Sequence, residues 1–145
     1  DVGHEFGTTT GRPRRCGWLD LVVLRHAHRM NGFDGVTLTK LDVLGGISEL
    51  KICVGYTIDG EPCHEIPADI GRLARCMPVY ESVPGFDALS LEDWLEIART
   101  AARDGTGFSA LPENARAYVE KIESLLGFPI ISVGVGPDRE ATIER

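Results

Sequence analysis

The stretch Glu49–Pro67, ELKICVGYTIDGEPCHEIP, alternates at Leu50, Ile52, Val54 and Tyr56 and then reaches Asp59-Gly60. A period of two marks a strand with one buried face. Asp-Gly between two such runs is a strong hairpin signal. Working outward, PVYESVPGF (78–86) reads as a second short strand that ends at Pro84-Gly85. SLEDWLEIARTAARDG (90–105) has Ser90 followed three residues later by Asp93, a helix start, and Gly105 as its stop. A further helix is expected after Pro112, running to Leu126 and stopped by Gly127. Beyond it come an apolar strand, FPIISVGVG, a polar turn, PDRE, and a brief ATIE strand.

Upstream of the hairpin, GVTLTKLDVL opens with a short strand over residues 35–38 and breaks into a loop at Thr39. GWLDLVVLRHAHRMNG (17–32) carries Leu19, Val22, Val23, Leu24, Ala27 and Met30 at helical spacing, with Asn31-Gly32 as the stop. Helices and strands alternate without repeats or low-complexity segments. The class expected is α/β, with a mixed, mainly parallel sheet in one globular segment, residues 1–145.

The 145 residues are 43% hydrophobic and 26% charged, with 22 acids, 15 bases and a formal net charge of −7. That balance argues against a general nucleic-acid binder, which needs a basic face for phosphates. No apolar run approaches the roughly 20 residues that span a bilayer. No secretory leader pattern is present either, so a cytoplasmic protein with no membrane partner is expected. The opening DVGHEFG reads as the middle of a longer chain. Cys16, Cys53, Cys63 and Cys76 are widely spaced and form no C-x-x-C pair. They read as reduced thiols rather than a disulfide framework or zinc site.

Within this acidic chain, TTTGRPRRCGWLD (8–20) gathers Arg12, Arg14 and Arg15 beside three threonines. Hydroxyls, glycine-freed amides and guanidinium forks can hold a carboxylate or phosphate, and the helix start beyond Trp18 could add its positive dipole end. The alternative is a solvated basic turn. LTKLD (38–42) places an aspartate at a strand end, where its carboxylate can accept from the N1–H and 2-amino group of guanine while the Lys40 stem packs along the base. It is similar to the N-K-x-D motif of GTP-binding proteins, with Thr39 in place of the asparagine; a solvated loop is again the alternative. In SVGVGPDRE, Gly134 and Gly136 permit close backbone approach to a flat ligand or phosphate, or simply a tight turn. Arg139 stands where a third glycine would complete G-x-G-x-x-G, which argues against a dinucleotide site. His26 and His28, two apart on a helix, point apart and cannot share a metal; with His64 they read as structural or surface residues. There is no P-loop, H-E-x-x-H or G-x-S-x-G.

Together, EFGTTTGRPRRCGWLDLVVLRHAHRMNGF, LTKLDVL and VGVGPDRE, in that order and spacing, resemble the C-terminal region of adenylosuccinate synthetases. VYESVPGF and LPENARAYVEKIESLLGFPI fit the same family. The resemblance implies the C-terminal third of a P-loop-type fold. The activity implied is a GTP-dependent, Mg²⁺-supported ligation of IMP and L-aspartate to adenylosuccinate, in AMP synthesis, by a homodimer. By that resemblance Thr8, Thr9, Thr10, Gly11, Arg12, Pro13 and Arg14 form the loop that closes on aspartate. Arg12 also reaches IMP and Arg14 contacts GTP. Lys40, Leu41 and Asp42 read guanine, and Gly134, Val135 and Gly136 line its pocket through their backbone.

The family's catalytic aspartate lies in a Gly-Asp-Glu-Gly-Lys loop and its catalytic histidine in a Gly-His-Gly segment. Neither occurs in this sequence, and VGHEF around His4 is not that motif. The catalytic pair and the Mg²⁺ ligands are therefore expected in an N-terminal part outside the chain, with the chain inactive by itself. A non-catalytic guanine-nucleotide module and a fragment unable to fold alone are the other readings. Further departures from the family are Gly45, often acidic there, a helical insert over residues 90–107, and the lack of an aromatic tail after Arg145.

Overall fold

A computed structural model describes residues 3–145. The elements run β1 (Leu19–Asp20), α1 (Leu21–Asn31), β2 (Val36–Leu38), β3 (Glu49–Ile58), β4 (Glu61–Cys63), α2 (Ile70–Leu73), β5 (Met77–Pro84), α3 (Leu91–Asp104), α4 (Glu113–Leu126), β6 (Ile130–Gly134) and β7 (Thr142–Glu144). Short 3-10 turns cover Asp42–Leu44 and Gly107–Ala110. Strands β2 to β7, the two long C-terminal helices and the hairpin fall where the sequence pattern puts them. The four-residue α2 and both 3-10 turns carry too few residues to show a period.

Helix α1 begins at Leu21, four residues later than the GWLD run suggests. Leu19 and Asp20 are instead claimed by β3, pairing in parallel with Ile52 and Cys53. Asp20 then caps the helix, accepting from the amides of Val22 at 2.9 Å and Val23 at 3.2 Å. Gly32, left-handed at φ 64°, closes its C-terminus by donating to the His28 carbonyl at 2.8 Å. Its buried residues are Leu21 and Val22, whereas Val23 and Met30, expected on the apolar face, are exposed.

The single, mainly parallel sheet expected from the sequence is corrected to two mixed sheets. In the first, β3 pairs with β1 in parallel and with β4 and β5 in antiparallel fashion. In the second, β6 pairs in parallel with β2 and antiparallel with β7. Only two of these five pairings are parallel. The cause lies in the connections. A parallel pair needs a crossover of a dozen or more residues, while Asp59-Gly60 and the turn after Gly134 are too short for anything but an antiparallel return.

One hydrophobic core joins the two sheets. Leu21 of α1, Leu50 and Ile52 of β3, Trp94 and Ala98 of α3, Val119 and Ile122 of α4, and Ile130, Val133 and Ile143 all belong to it. Burying each large aliphatic or aromatic side chain contributes about 1.5–3 kcal/mol, so losing a helix from this cluster would be felt throughout. The 90–107 segment is part of that core rather than an appendage. Its helix is closed by a capping box in which Ser90 Oγ accepts from the Asp93 amide at 3.1 Å and Asp93 accepts from the Ser90 amide at 3.3 Å. A smaller cluster packs Val22, Cys53 and Tyr56 against Cys63, Ile66 and Cys76. The four cysteines are unpaired, and no helix among the described residues is long and apolar enough to cross a membrane.

Candidate functional site

The threonine–arginine segment forms a narrow hairpin-like loop. Phe6 and Pro13 make an antiparallel bridge, and the Gly7 amide donates to the Arg12 carbonyl at 2.8 Å. Gly11 sits at φ 63°, in the left-handed region, and its amide donates to the Gly7 carbonyl at 2.8 Å. A side chain at that φ would strain the turn, although no neighbouring atom would obstruct it. Thr8, Thr9, Thr10, Arg12, Pro13 and Arg15 are exposed around the loop. The expected contribution from the helix N-terminus is corrected: the first free amides of α1 point at the Asp20 carboxylate, which already occupies that positive end.

The Lys40-Leu41-Asp42 segment divides its roles. Leu41 is fully buried, and its amide donates to the Gly134 carbonyl at 3.0 Å, so it pins the segment to the end of β6. Asp42 opens the 3-10 turn, and its carbonyl accepts from the Gly45 amide. Lys40 takes a left-handed φ of 62°, which is uncommon for a lysine and places its backbone at the hinge between strand and turn. Gly45 has a packing reason: a Cβ there would lie 3.0 Å from Ala88 Cα and 3.2 Å from the Asp87 carbonyl oxygen.

The glycines at the end of β6 also separate. Gly134 gives its carbonyl to Leu41, and Val135 is buried with its amide bonded to the Ala141 carbonyl at 2.8 Å. Gly136 lines a cavity, and a Cβ on it would meet Ala141 Cβ at 3.0 Å. That cavity, of about 380 Å³, is lined by His4, Lys40, Asp42, Leu91, Gly136 and Pro137 among others. It falls within the size range of small-molecule sites and combines apolar walls with one carboxylate and one ammonium group. A larger cavity, about 540 Å³, lies between α3 and the 107–110 turn, but none of the candidate ligand-binding residues lines it. Chemistry, not size, makes the smaller one the candidate site.

The loop and the cavity are joined by a residue the sequence reading assigned no role. Glu5 Oε2 accepts from Arg14 Nη1 at 3.0 Å, and Glu5 Oε1 accepts from Lys40 Nζ. Lys40 also donates to the Gly3 carbonyl at 2.7 Å, and the Arg14 amide donates to the Glu5 carbonyl at 2.8 Å. Lys40 foremost, then Arg14, hold the Glu5 carboxyl below the usual carboxylate range. The available signal was one acid inside EFGTTTGRPRR, but nothing local shows that its partner lies 35 residues away.

Of the histidines, His28 stacks on Phe128 at 4.3 Å and meets Phe33 edge-on at 5.0 Å, while His4 lines the cavity. Among the described residues no group of three or more His, Cys, Asp or Glu is arranged to hold a metal ion.

A family model described as adenylosuccinate synthetase matches residues 1–143. The chain belongs to the adenylosuccinate synthetase family. It is 49% identical over 142 residues to the adenylosuccinate synthetase of Geobacter sulfurreducens, covering 98% of this chain and 30% of that protein. To that of Halorhodospira halophila it is 47% identical over 143 residues, covering 99% and 30%. The chain thus spans about 30% of the length of these adenylosuccinate synthetases. The structure of a fully ligated adenylosuccinate synthetase from Plasmodium falciparum superposes with a TM-score of 0.82 at 39% identity, over 99% of this chain and 32% of the other. The α/β fold with mixed sheets is therefore one that an adenylosuccinate synthetase adopts.

Proposed function

We propose that this chain is the aspartate-binding and guanine-reading portion, the C-terminal third, of an adenylosuccinate synthetase with the P-loop-type fold of that family, and that it acts as one globular segment. The observation that supports the reading is the ion-paired link from Arg14 through Glu5 to Lys40, which ties the base of the threonine–arginine loop to a residue lining the cavity shared by Asp42 and Gly136. The whole enzyme would transfer the γ-phosphate of GTP to the 6-oxygen of IMP, and the amino group of L-aspartate would then displace phosphate.

In that reaction Thr8, Thr9, Thr10, Gly11 and Arg12 present hydroxyls, amides and a guanidinium to the aspartate carboxylates, with Pro13 fixing the exit of the loop. Arg12 also reaches IMP, and Arg14 reaches the nucleotide. Asp42 accepts from the N1–H and 2-amino group of guanine, and the Lys40 stem covers the base. Gly136 lets the base approach the backbone. Leu41, Gly134 and Val135 act one step back, by fixing Lys40, Asp42 and Gly136 in place. Mg²⁺, when bound, would neutralise phosphate charge; its ligands, the catalytic acid–base pair and the homodimer contacts belong to the remainder of the enzyme, which works in the cytoplasm.

The decisive measurement is calorimetric titration of the chain with GDP and ADP. GDP should bind at least about ten-fold more tightly, since a hydrogen bond to a charged group is worth about 1.5–3 kcal/mol. Asp42→Asn should remove most of that preference. Equal affinity for the two nucleotides in the native chain would overturn the guanine reading. The chain alone should give no adenylosuccinate from IMP, GTP and aspartate, and adding the remaining part of the enzyme should restore turnover.

A further inference from the structure

Glu5 stands at a junction that its local sequence does not explain. Its side chain is 28% exposed, against 57% for Arg14 and 50% for Lys40, so the carboxylate is the inner member of the trio. Each oxygen serves a different segment: Oε2 the loop through Arg14, Oε1 the cavity wall through Lys40. The backbone adds to the grip, because Glu5 and Arg14 also face each other across the base of the loop. Lys40 would not hold its left-handed backbone and its side-chain direction by propensity alone. Its ammonium is fixed by the Gly3 carbonyl and Glu5, while its carbonyl accepts from the Val43 amide at 3.3 Å.

We propose that Glu5 is a positioning residue that couples the amino-acid loop to the guanine cavity, through one carboxylate shared between Arg14 and Lys40. The inference rests on the functional reading above and adds a residue and a linkage to it. The physical argument is one of shared ordering. When a dicarboxylic amino acid fills the Thr8–Arg12 loop, Arg14 is held at the loop base and keeps Glu5 in place. Glu5 in turn keeps Lys40 along the cavity wall. The nucleotide then meets a lysine already ordered, so less freedom is lost on binding, and by linkage the nucleotide favours the amino acid by the same factor. A lone exposed ion pair links no second segment and contributes little to stability; here one carboxylate holds two.

The test is GDP titration of the chain with and without saturating L-aspartate. In the native chain aspartate should tighten GDP about five-fold or more. Glu5→Gln, which keeps the shape and loses the charge, should bring that factor close to one. Glu5→Asp, one methylene shorter, retains the charge but spans both partners poorly and should fall between. Glu140→Gln, which removes the exposed pair with Arg99, should leave the coupling unchanged. Circular dichroism identifies any variant that fails to fold, and the Asp variant then carries the comparison. Coupling unchanged in both Glu5 variants overturns the role of Glu5 and leaves the functional reading intact. A native chain that binds no GDP overturns both.

Discussion

The Tyr56 phenol donates a 2.5 Å hydrogen bond to Asp20 Oδ2, while Oδ1 of the same carboxylate accepts the Val22 and Val23 amides. One side chain thus caps α1 and ties it to β3, shortly after the threonine–arginine loop. Tyr56→Phe should cost about 1.5–3 kcal/mol, the value of a hydrogen bond to a charged group. Asp20→Ala should cost more, because it also removes a helix cap worth about 1 kcal/mol. Urea denaturation of the two variants checks the order; equal losses would mean that the cap contributes nothing.

The same pair predicts alkaline sensitivity. Burial first, then the bond to Asp20 and its charge, push the Tyr56 phenol well above its ordinary value. Burial alone pushes Tyr118 up to about 12. Folding therefore favours the neutral phenols. Their contribution is complete below the unfolded value of about 10 and is lost as pH rises through the folded values. Stability should fall from about pH 10 upward, and less steeply in Tyr56→Phe. Denaturation midpoints between pH 8 and 12, roughly the span on either side of that value, would show it.

Gly85 is where the chain has no room. A Cβ there would lie 1.6 Å from the Ile47 carbonyl oxygen and 2.8 Å from its carbon, both backbone atoms. Its amide donates to the Ser48 carbonyl, and its carbonyl accepts from Asn114 Nδ2 at 2.8 Å, so the segment is fixed on both sides. Gly85→Ala should lose more than about 3 kcal/mol, in the class of strained or overpacked sites. Gly134→Ala is the contrast: its nearest neighbour would be Thr39 Cα at 3.5 Å, an ordinary contact, and the change should stay within about 1 kcal/mol. Thermal melts of the two variants separate the cases.

Arg25 bridges elements that are far apart in the sequence. Its Nη1 donates to the Val54 carbonyl at 3.2 Å and its Nη2 to the Leu125 carbonyl at 2.7 Å, near the negative end of α4. Arg25→Met keeps the apolar stem and loses both bonds, and should cost about 2–4 kcal/mol, for two hydrogen bonds to a charged donor partly offset by recovered hydration. Arg25→Lys should recover less than half, since an ammonium group has no planar fork to reach both carbonyls. Denaturant titration decides; equal stability of the Lys variant and the native chain would contradict the bridging role.

What the sequence made legible follows the range of the forces involved. Helices α3 and α4 declare themselves through capping and period, and the Asp59-Gly60 hairpin through two dihedral-demanding residues, all local features. The split into two sheets depends on which edges meet, which no local pattern encodes. Near the cavity, Asp42 and Gly136 were legible as chemistry, whereas the burial of the Leu41 and Val135 side chains depends on long-range packing that the local sequence does not show. Glu5 was invisible in role because its meaning lies in Lys40, brought beside it only by the fold.

That Glu5 link carries its own pH signature. Lys40 and Arg14 both favour the ionised carboxylate, so the folded value lies below the ordinary one of about 4.3. A depressed carboxyl contributes order that is present above its unfolded value and is lost as pH falls through the folded one. The loop should therefore keep its attachment to the cavity wall at pH 5 and release it in more acidic solution, at pH values about or below the ordinary carboxylate range. An NMR titration following the Glu5 carboxyl and the ε-methylene of Lys40 should give a single shared midpoint below 4.3, roughly the unperturbed glutamate value. In Glu5→Gln the Lys40 signal should no longer respond. Separate midpoints for the two residues would show that the ammonium group and the carboxylate do not act as a unit.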